Sequence, residues 1–246
     1  IVKGDLRTLI RISVPLMLFL FCEALTSFCE RIFLSYHSMN SVHGSLSASY
    51  LATIFFFPCV AIGAMAQVFV GFYQGSNEHQ RIGPCVWQLI WFSFLSFLVT
   101  LPISYLVSSW YFRDTVIEKV GVDYFMLLAL GNFLFPLNTA LSSFYLGRGK
   151  TLLVTSLMLA SYALNLFLSW LLIFGVAEII PALGARGAAL AKCMSLGLIC
   201  CIFWGAFLTR KNREIYNTGL WNFSLTALWH YMRPGLVRAL GYLSSK

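Results

Sequence analysis

Apolar runs long enough to cross a bilayer recur along the whole 246-residue chain, and that recurrence restricts its fold more than any short motif does. A hydrocarbon core of about 30 Å takes roughly 20 helical residues at 1.5 Å each. Such runs are predicted as helices near 10–34, 47–73, 85–110, 122–146, 152–174 and 186–208, and a seventh begins near Trp229. Lipid offers no partner to backbone N–H and C=O groups, so only helices or closed barrels span it. The alternating pattern of barrel strands is missing. The chain is 59% hydrophobic and 11% charged, against about 45–50% apolar residues in soluble domains. The predicted fold is therefore an all-α integral membrane protein. A six-helix membrane lobe occupies 1–208, a cytoplasmic linker 209–228, and the start of a seventh helix 229–246, which the sequence leaves unfinished at Lys246.

The first run, Ile12 to Leu34, is too long for the apolar core of a signal peptide and lacks a small-residue cleavage pattern, so it counts as a span. The net charge of +8 invites a nucleic-acid partner, but the basic residues gather at the ends of apolar runs. Topology explains them better. With the N-terminus inside, the inner side collects Lys3, Arg7, Arg11, Arg81, Arg148, Lys150, Arg210, Lys211, Arg213 and Arg233, and the outer side keeps Arg113, Lys119 and Arg186. Ten against three predicts a multi-pass protein of the cell membrane with a cytoplasmic N-terminus.

Enzyme and metal signatures fail. Gly149, Lys150 and Thr151 end like a P-loop, but Phe144 stands where that motif needs glycine. No HExxH or GxSxG occurs, and His37, His43, His79 and His230 have no helical metal-ligand spacing. Seven cysteines without a CxxC pair read as small packing residues. No metal and no cofactor beyond a coupling ion is expected.

Ionisable residues at membrane depth are costly and point to function by default. In CEALTSFCERIF, Glu23, Ser27 and Glu30 fall at i, i+4 and i+7 and share one face of the first helix, which should look into a bundle interior or wet cavity. Arg31 is expected to line the same cavity as Glu23 and Ser27, and either neutralises a glutamate or snorkels outward. Gln67, Asn132, Asn138, Asn165 and Ser169 are the other polar residues deep in apolar runs, and Gln67 and Asn138 are expected to line the cavity. Lys192, in GAALAKCMSLG, is too deep to snorkel easily and should meet a carboxylate, Glu30 or Glu23. Gly187, Ala191 and Ser195 form a small-residue stripe for close helix packing, and Pro15, Pro58, Pro102 and Pro136 each can kink one of the first four helices.

The stretch DLRTLIRISVPLMLFLFCEALTSFCERIFLS resembles the opening of multidrug and toxin extrusion (MATE) transporters, and FVGFYQGSNEHQRIG is similar to their second loop. FYLGRGKTLLVTSLMLASYALNLFLSWLLIFG followed by LGARGAALAKCMS resembles their fourth to sixth helices. The resemblance covers essentially the whole chain. It implies the N-terminal lobe of a two-lobe transporter, with a second six-helix lobe C-terminal to it. It also implies an antiporter that exports drugs, toxins or metabolites, small amphiphilic or cationic compounds, across the bilayer in exchange for H+ or Na+ by alternating access. Glu30 occupies the first-helix acidic position of the ion site, and Asn165 its fifth-helix asparagine. The chain departs from the pattern at Ser169, where many relatives have a second acid, and at Lys192, where the motif usually has threonine. The ion-coupling set is therefore Glu30, Asn165, Ser169 and Lys192. Two alternatives stay open, a lipid-linked precursor flippase of the same superfamily and a non-transporting membrane scaffold.

Overall fold

The computed structural model describes the backbone of residues 6–175 and 181–244 and the side chains of 17, 18, 20–175 and 181–235. Lys3 and the side chains of Arg7, Arg11 and Pro15 lie outside the described residues. Within them the chain is helical, with α1 Leu6–His37, α2 Met39–Gly63, α3 Met65–Gly75, α4 Ile82–Tyr111, α5 Glu118–Leu130, α6 Leu134–Leu146, α7 Thr151–Phe174, α8 Ala185–Phe207, α9 Arg210–Tyr216 and α10 Leu225–Ser244. The segments Met39–Gly75, His79–Tyr111, Thr151–Phe174 and Ala185–Phe207 are each long and apolar enough to cross a membrane, and α5 with α6 makes a fifth span bent by 40°. α1 adds 32 residues, about 48 Å of helix.

The long helix α4 shows how the bundle distinguishes core from lipid. Ile82, Cys85, Val86, Leu89 and Ile90 are wholly buried at i, i+3, i+4, i+7 and i+8, a single helical face, while Leu98, Val99 and Leu106 on the later turns stay exposed. Exposed side chains of that size suit a lipid solvent. Further along α4 the buried stripe changes to Ser93, Ser96, Thr100, Ser104 and Ser108. Ser93, Ser96, Thr100 and Ser108 donate to carbonyls of their own helix at 2.8–3.0 Å, so they need no neighbour and let other backbones come close.

Proline acts unevenly. Pro136 has no N–H for the carbonyl of Asn132, and there the helix gives way between α5 and α6, with Phe135 donating instead to Asn132 O at 3.2 Å. α8 covers this break: the thiols of Cys193 and Cys200 face Leu127 O at 3.7 Å and Leu134 O at 3.6 Å, on either side of it. Pro58 and Pro102, each able to kink its helix, lie inside α2 and α4 without ending them. The second span breaks instead at Ala64, where Gly63 lies so close to α6 that a Cβ on it would meet Pro136 O at 2.8 Å.

The small stripe on α8 packs as its residues suggest. Gly187, Ala191 and Ser195 are buried, and a Cβ on Gly187 would stand 2.5 Å from Leu172 O of α7. Gly184, with φ +55 and ψ −128, takes a backbone conformation open only to glycine and turns the chain into α8.

The stretch after α8 is not a free connector. It holds α9, α10 begins at Leu225 rather than Trp229, and residues 217–224 are tied to α4. Trp87 Nε1 donates to Thr218 O at 2.7 Å, Gln88 Nε2 to Asn222 O at 2.7 Å, and Ser224 N to Gln88 Oε1 at 3.2 Å. At the same end Arg148 lies 3.7 Å over the Phe144 ring and 4.5 Å over Tyr216 of α9.

Candidate functional site

α1 buries Thr26, Glu30 and Leu34, one turn apart, against α7, with which it packs extensively. Thr26 satisfies its hydroxyl within the helix, on Cys22 O at 2.8 Å, and Leu34 is apolar. Glu30, 9% exposed, is thus the charged residue of the buried stripe. Glu23 and Ser27, which the spacing placed on the same face, flank it: Glu23 is exposed and Ser27 half-buried.

Two residues of α7 hold the carboxylate. Asn165 Nδ2 donates to Glu30 Oε1 at 2.7 Å, and Ser169 Oγ donates to the same oxygen at 3.3 Å. Both donors are buried, and they stand one turn apart, so a single helix face presents them. Oε1 is saturated. Oε2 has no partner among the described residues and is not sealed off, so it opens onto the adjoining space. A short charge-assisted bond such as that of Asn165 contributes about 1.5–3 kcal/mol and the longer one of Ser169 less, which together offset part of the cost of burying a carboxylate.

That space consists of two adjoining cavities of about 260 and 240 Å³, both lined by Glu23, Ser27, Glu30 and Lys192. The first continues past Asn138, Asn165 and Ser195. The second continues past Arg31, Ser49 and Tyr124. Asn138 meets Met158 Sδ at 3.8 Å through Nδ2, while its Oδ1, like Oδ1 of Asn165, is buried without a partner. A larger cavity of about 720 Å³ between α2, α4 and α10 carries no charged residue, so the ionisable chemistry is not there.

Two expectations, for Lys192 and Gln67, need correction, and for Arg31 one of two open alternatives falls away. Lys192 does reach the cavities of Glu23 and Glu30, but no ion pair joins it to either among the described residues. The Glu30 carboxylate is turned toward α7 by Asn165 and Ser169, whereas Lys192 enters from α8. Gln67 does not line either cavity and is exposed: Ile62, Ala66, Val70 and Tyr73 make the buried stripe at helical spacing, and Gln67, one residue past Ala66, falls on the other face of α3. Arg31 neutralises neither glutamate: it is exposed on the rim of the second cavity with no ion pair among the described residues. Asn132 lies elsewhere, donating to Thr100 Oγ1 at 2.6 Å beside the α5–α6 break. Tyr124, Ser49 and Thr139 line the cavities and went unnoticed in the sequence, where a lone hydroxyl in an apolar run carries no signal.

The MatE family profile matches residues 15–171. The chain is 26% identical over 242 residues to the Probable multidrug resistance protein NorM of Bacillus subtilis (strain 168), covering 95% of this chain and 53% of that protein. Among solved structures it is similar to a MOP superfamily transporter from Pyrococcus furiosus Vc1, with TM-score 0.82, 18% identity, and coverage of 96% of this chain and 52% of that one. A crystal structure of MATE in the straight conformation matches with the same TM-score, identity and coverage. The chain thus spans about half the length of the relatives it matches. A profile matched over most of the chain, from the first helix through both residues that hold Glu30, shows that the chain belongs to the MatE family.

Proposed function

We propose that this chain is the ion-coupling lobe of a secondary active antiporter, which exports drugs, toxins or metabolites in exchange for a cation by alternating access, together with a second lobe. The observation that carries the reading is Glu30, buried on α1 with Oε1 held by Asn165 and Ser169 and Oε2 facing a polar cavity. A carboxylate so placed takes up and releases a cation at Oε2 while Oε1 stays fixed. Charge at this depth is expensive, so the neutral and ionised forms favour different surroundings, and that difference is what drives a change of conformation. The proton fits these residues better than a metal cation does. One carboxylate, one amide and one hydroxyl make a sparse oxygen shell, and the Lys192 ammonium in the same cavity repels a second cation.

The distribution of charge supports a cytoplasmic N-terminus. His79, Arg148 and Tyr216 meet at one end of the bundle with the basic helix α9, while Lys119, Asp123 and Arg186 line a cavity with His37 at the other. A cysteine introduced at Arg213 should then react with an impermeant thiol reagent only from the cytoplasmic side, against a background lacking exposed Cys201. Labelling from outside would reverse the topology.

Glu30→Gln keeps the hydrogen-bonding shape and removes the titratable group. In liposomes holding the whole encoded polypeptide, this variant should lose proton-driven efflux of a cationic dye by about tenfold or more, equal to ~1.4 kcal/mol or more in the barrier. Unchanged coupled efflux would overturn the assignment.

A further inference from the structure

The Lys192 ammonium opens into the two cavities and has no hydrogen-bond or ion-pair partner among the described residues. Glu23, Glu30 and Tyr124 surround this ammonium and offset part of its charge, but no carboxylate closes on it as an ion pair, which leaves it able to take an anionic group that comes and goes. An anion alone fits badly, since Glu23 and Glu30 line the same space. A cation alone fits badly too, because it would face Lys192. A molecule carrying both charges meets both conditions.

The hydrogen-bonding groups follow the same division. On the side of α1 the cavity offers an acceptor without a donor, Oε2 of Glu30, while Oδ1 of Asn138 and of Asn165 lack donors but are closed to the cavity. From α8 comes Lys192, a donor without an acceptor. The two spaces, of about 260 and 240 Å³, share Glu23, Glu30 and Lys192 in their walls, so the two signs of charge face one volume, and either space alone is enough for a molecule of amino-acid size. We propose that this site binds a small zwitterion of amino-acid size, its carboxylate on Lys192 and its ammonium group on Glu23 and Glu30. This deepens the transport reading above and rests on it: the ammonium group and the proton compete for Glu30, while Lys192 supplies an anchor that a simple cation cannot use.

The test is equilibrium binding to the whole encoded polypeptide in lipid nanodiscs. The probes are neutral L-amino acids, each compared with its amide, which keeps only the cation, and its N-acetyl derivative, which keeps only the anion. At least one amino acid should bind, with both derivatives weaker by roughly tenfold or more. Lys192→Met should weaken the amino acid by a similar factor and leave the amide unchanged or tighter, and Lys192→Arg should retain binding. The inference is overturned if no amino acid binds, if a derivative binds as well as its parent, or if Lys192→Met has no effect. The comparison of derivatives on the unmodified protein stands even where the methionine variant does not fold. Glu30-dependent dye efflux without amino-acid binding would overturn this inference alone, and amino-acid binding without any Glu30-dependent flux would overturn the transport reading alone.

Discussion

Asn165 on α7 donates to Glu30 on α1 across 2.7 Å, and this bond fixes the direction in which the membrane-depth carboxylate points. Ser169 shares the same oxygen from 3.3 Å, a longer and weaker contact. The two residues should therefore contribute unequally. Asn165→Ala removes a short charge-assisted bond, worth about 1.5–3 kcal/mol, and should slow coupled efflux by at least about tenfold. Ser169→Ala should cost about 0.5–1.5 kcal/mol and a severalfold loss. Initial efflux rates in liposomes read the difference, and a Ser169→Ala defect larger than that of Asn165→Ala would contradict the geometry.

Two glycines of α8 predict opposite outcomes for one substitution. Gly187→Ala puts a methyl group 2.5 Å from the backbone oxygen of Leu172, which cannot move aside without separating α7 from α8. Overpacking of that kind costs about 1–3 kcal/mol. Gly205→Ala meets nothing within 4 Å and should gain up to about 1 kcal/mol from helix propensity. Thermal midpoints in detergent should fall by several degrees for the first and hold or rise for the second. Equal shifts would show that the small stripe does not set the approach of α7 and α8.

What the sequence makes legible is what local spacing encodes. Asn165 and Ser169 at i and i+4 had to share a face, and the resemblance to MATE transporters set Glu30 beside them; spacing alone did not, since Glu23 on the same expected face is exposed. Lys192 was located in the right cavity but its expected partner was not met, because the direction of Glu30 is set by α7, more than 130 positions away in sequence. Gln67 failed for a related reason. Its facing depends on which stripe of a largely apolar stretch, Ile62, Ala66, Val70 and Tyr73, is buried as α3 packs on α4 and α6, and nothing local marks that stripe. The break at Asn132 was easier, since Pro136 stands four residues beyond it. The stretch 209–228 reads as polar connector because its anchors, Trp87 and Gln88, belong to a helix that looks apolar throughout.

Gln88 grips the chain after α9 from both ends of its amide. It donates to Asn222 O at 2.7 Å and accepts from Ser224 N at 3.2 Å, and it is buried. Gln88→Ala leaves both backbone groups without partners, at about 1–3 kcal/mol each where water cannot replace them. Hydrogen exchange at Ser224 should accelerate by more than tenfold, with little change at Phe203 in the core. Exchange at Ser224 that matches the parent would mean the amide is not what holds this stretch.

Arg148 holds the same region from the end of α6. Its guanidinium lies 3.7 Å over Phe144 and 4.5 Å over Tyr216, and its Nε donates to Phe144 O at 2.9 Å. A lysine keeps the charge but cannot lie flat between two rings while also donating along a fixed fork, so Arg148→Lys is not conservative here. The loss should be about 0.5–2 kcal/mol, felt on the side of α9, which contributes Tyr216. Trypsin reports it directly, because α9 carries Arg210, Lys211 and Arg213, while the substitution leaves a basic residue at 148 and so adds or removes no cleavage site. Cleavage within α9 should be severalfold faster in Arg148→Lys than in the parent. Lys150→Ala, which removes an exposed charge two residues further on, should leave cleavage in α9 at the parental rate. If Arg148→Lys is cut no faster than Lys150→Ala, the stack between Arg148 and α9 does not restrain that helix, and its anchoring falls to its other contacts, those of His79, Trp87, Gln88 and Trp91 among them.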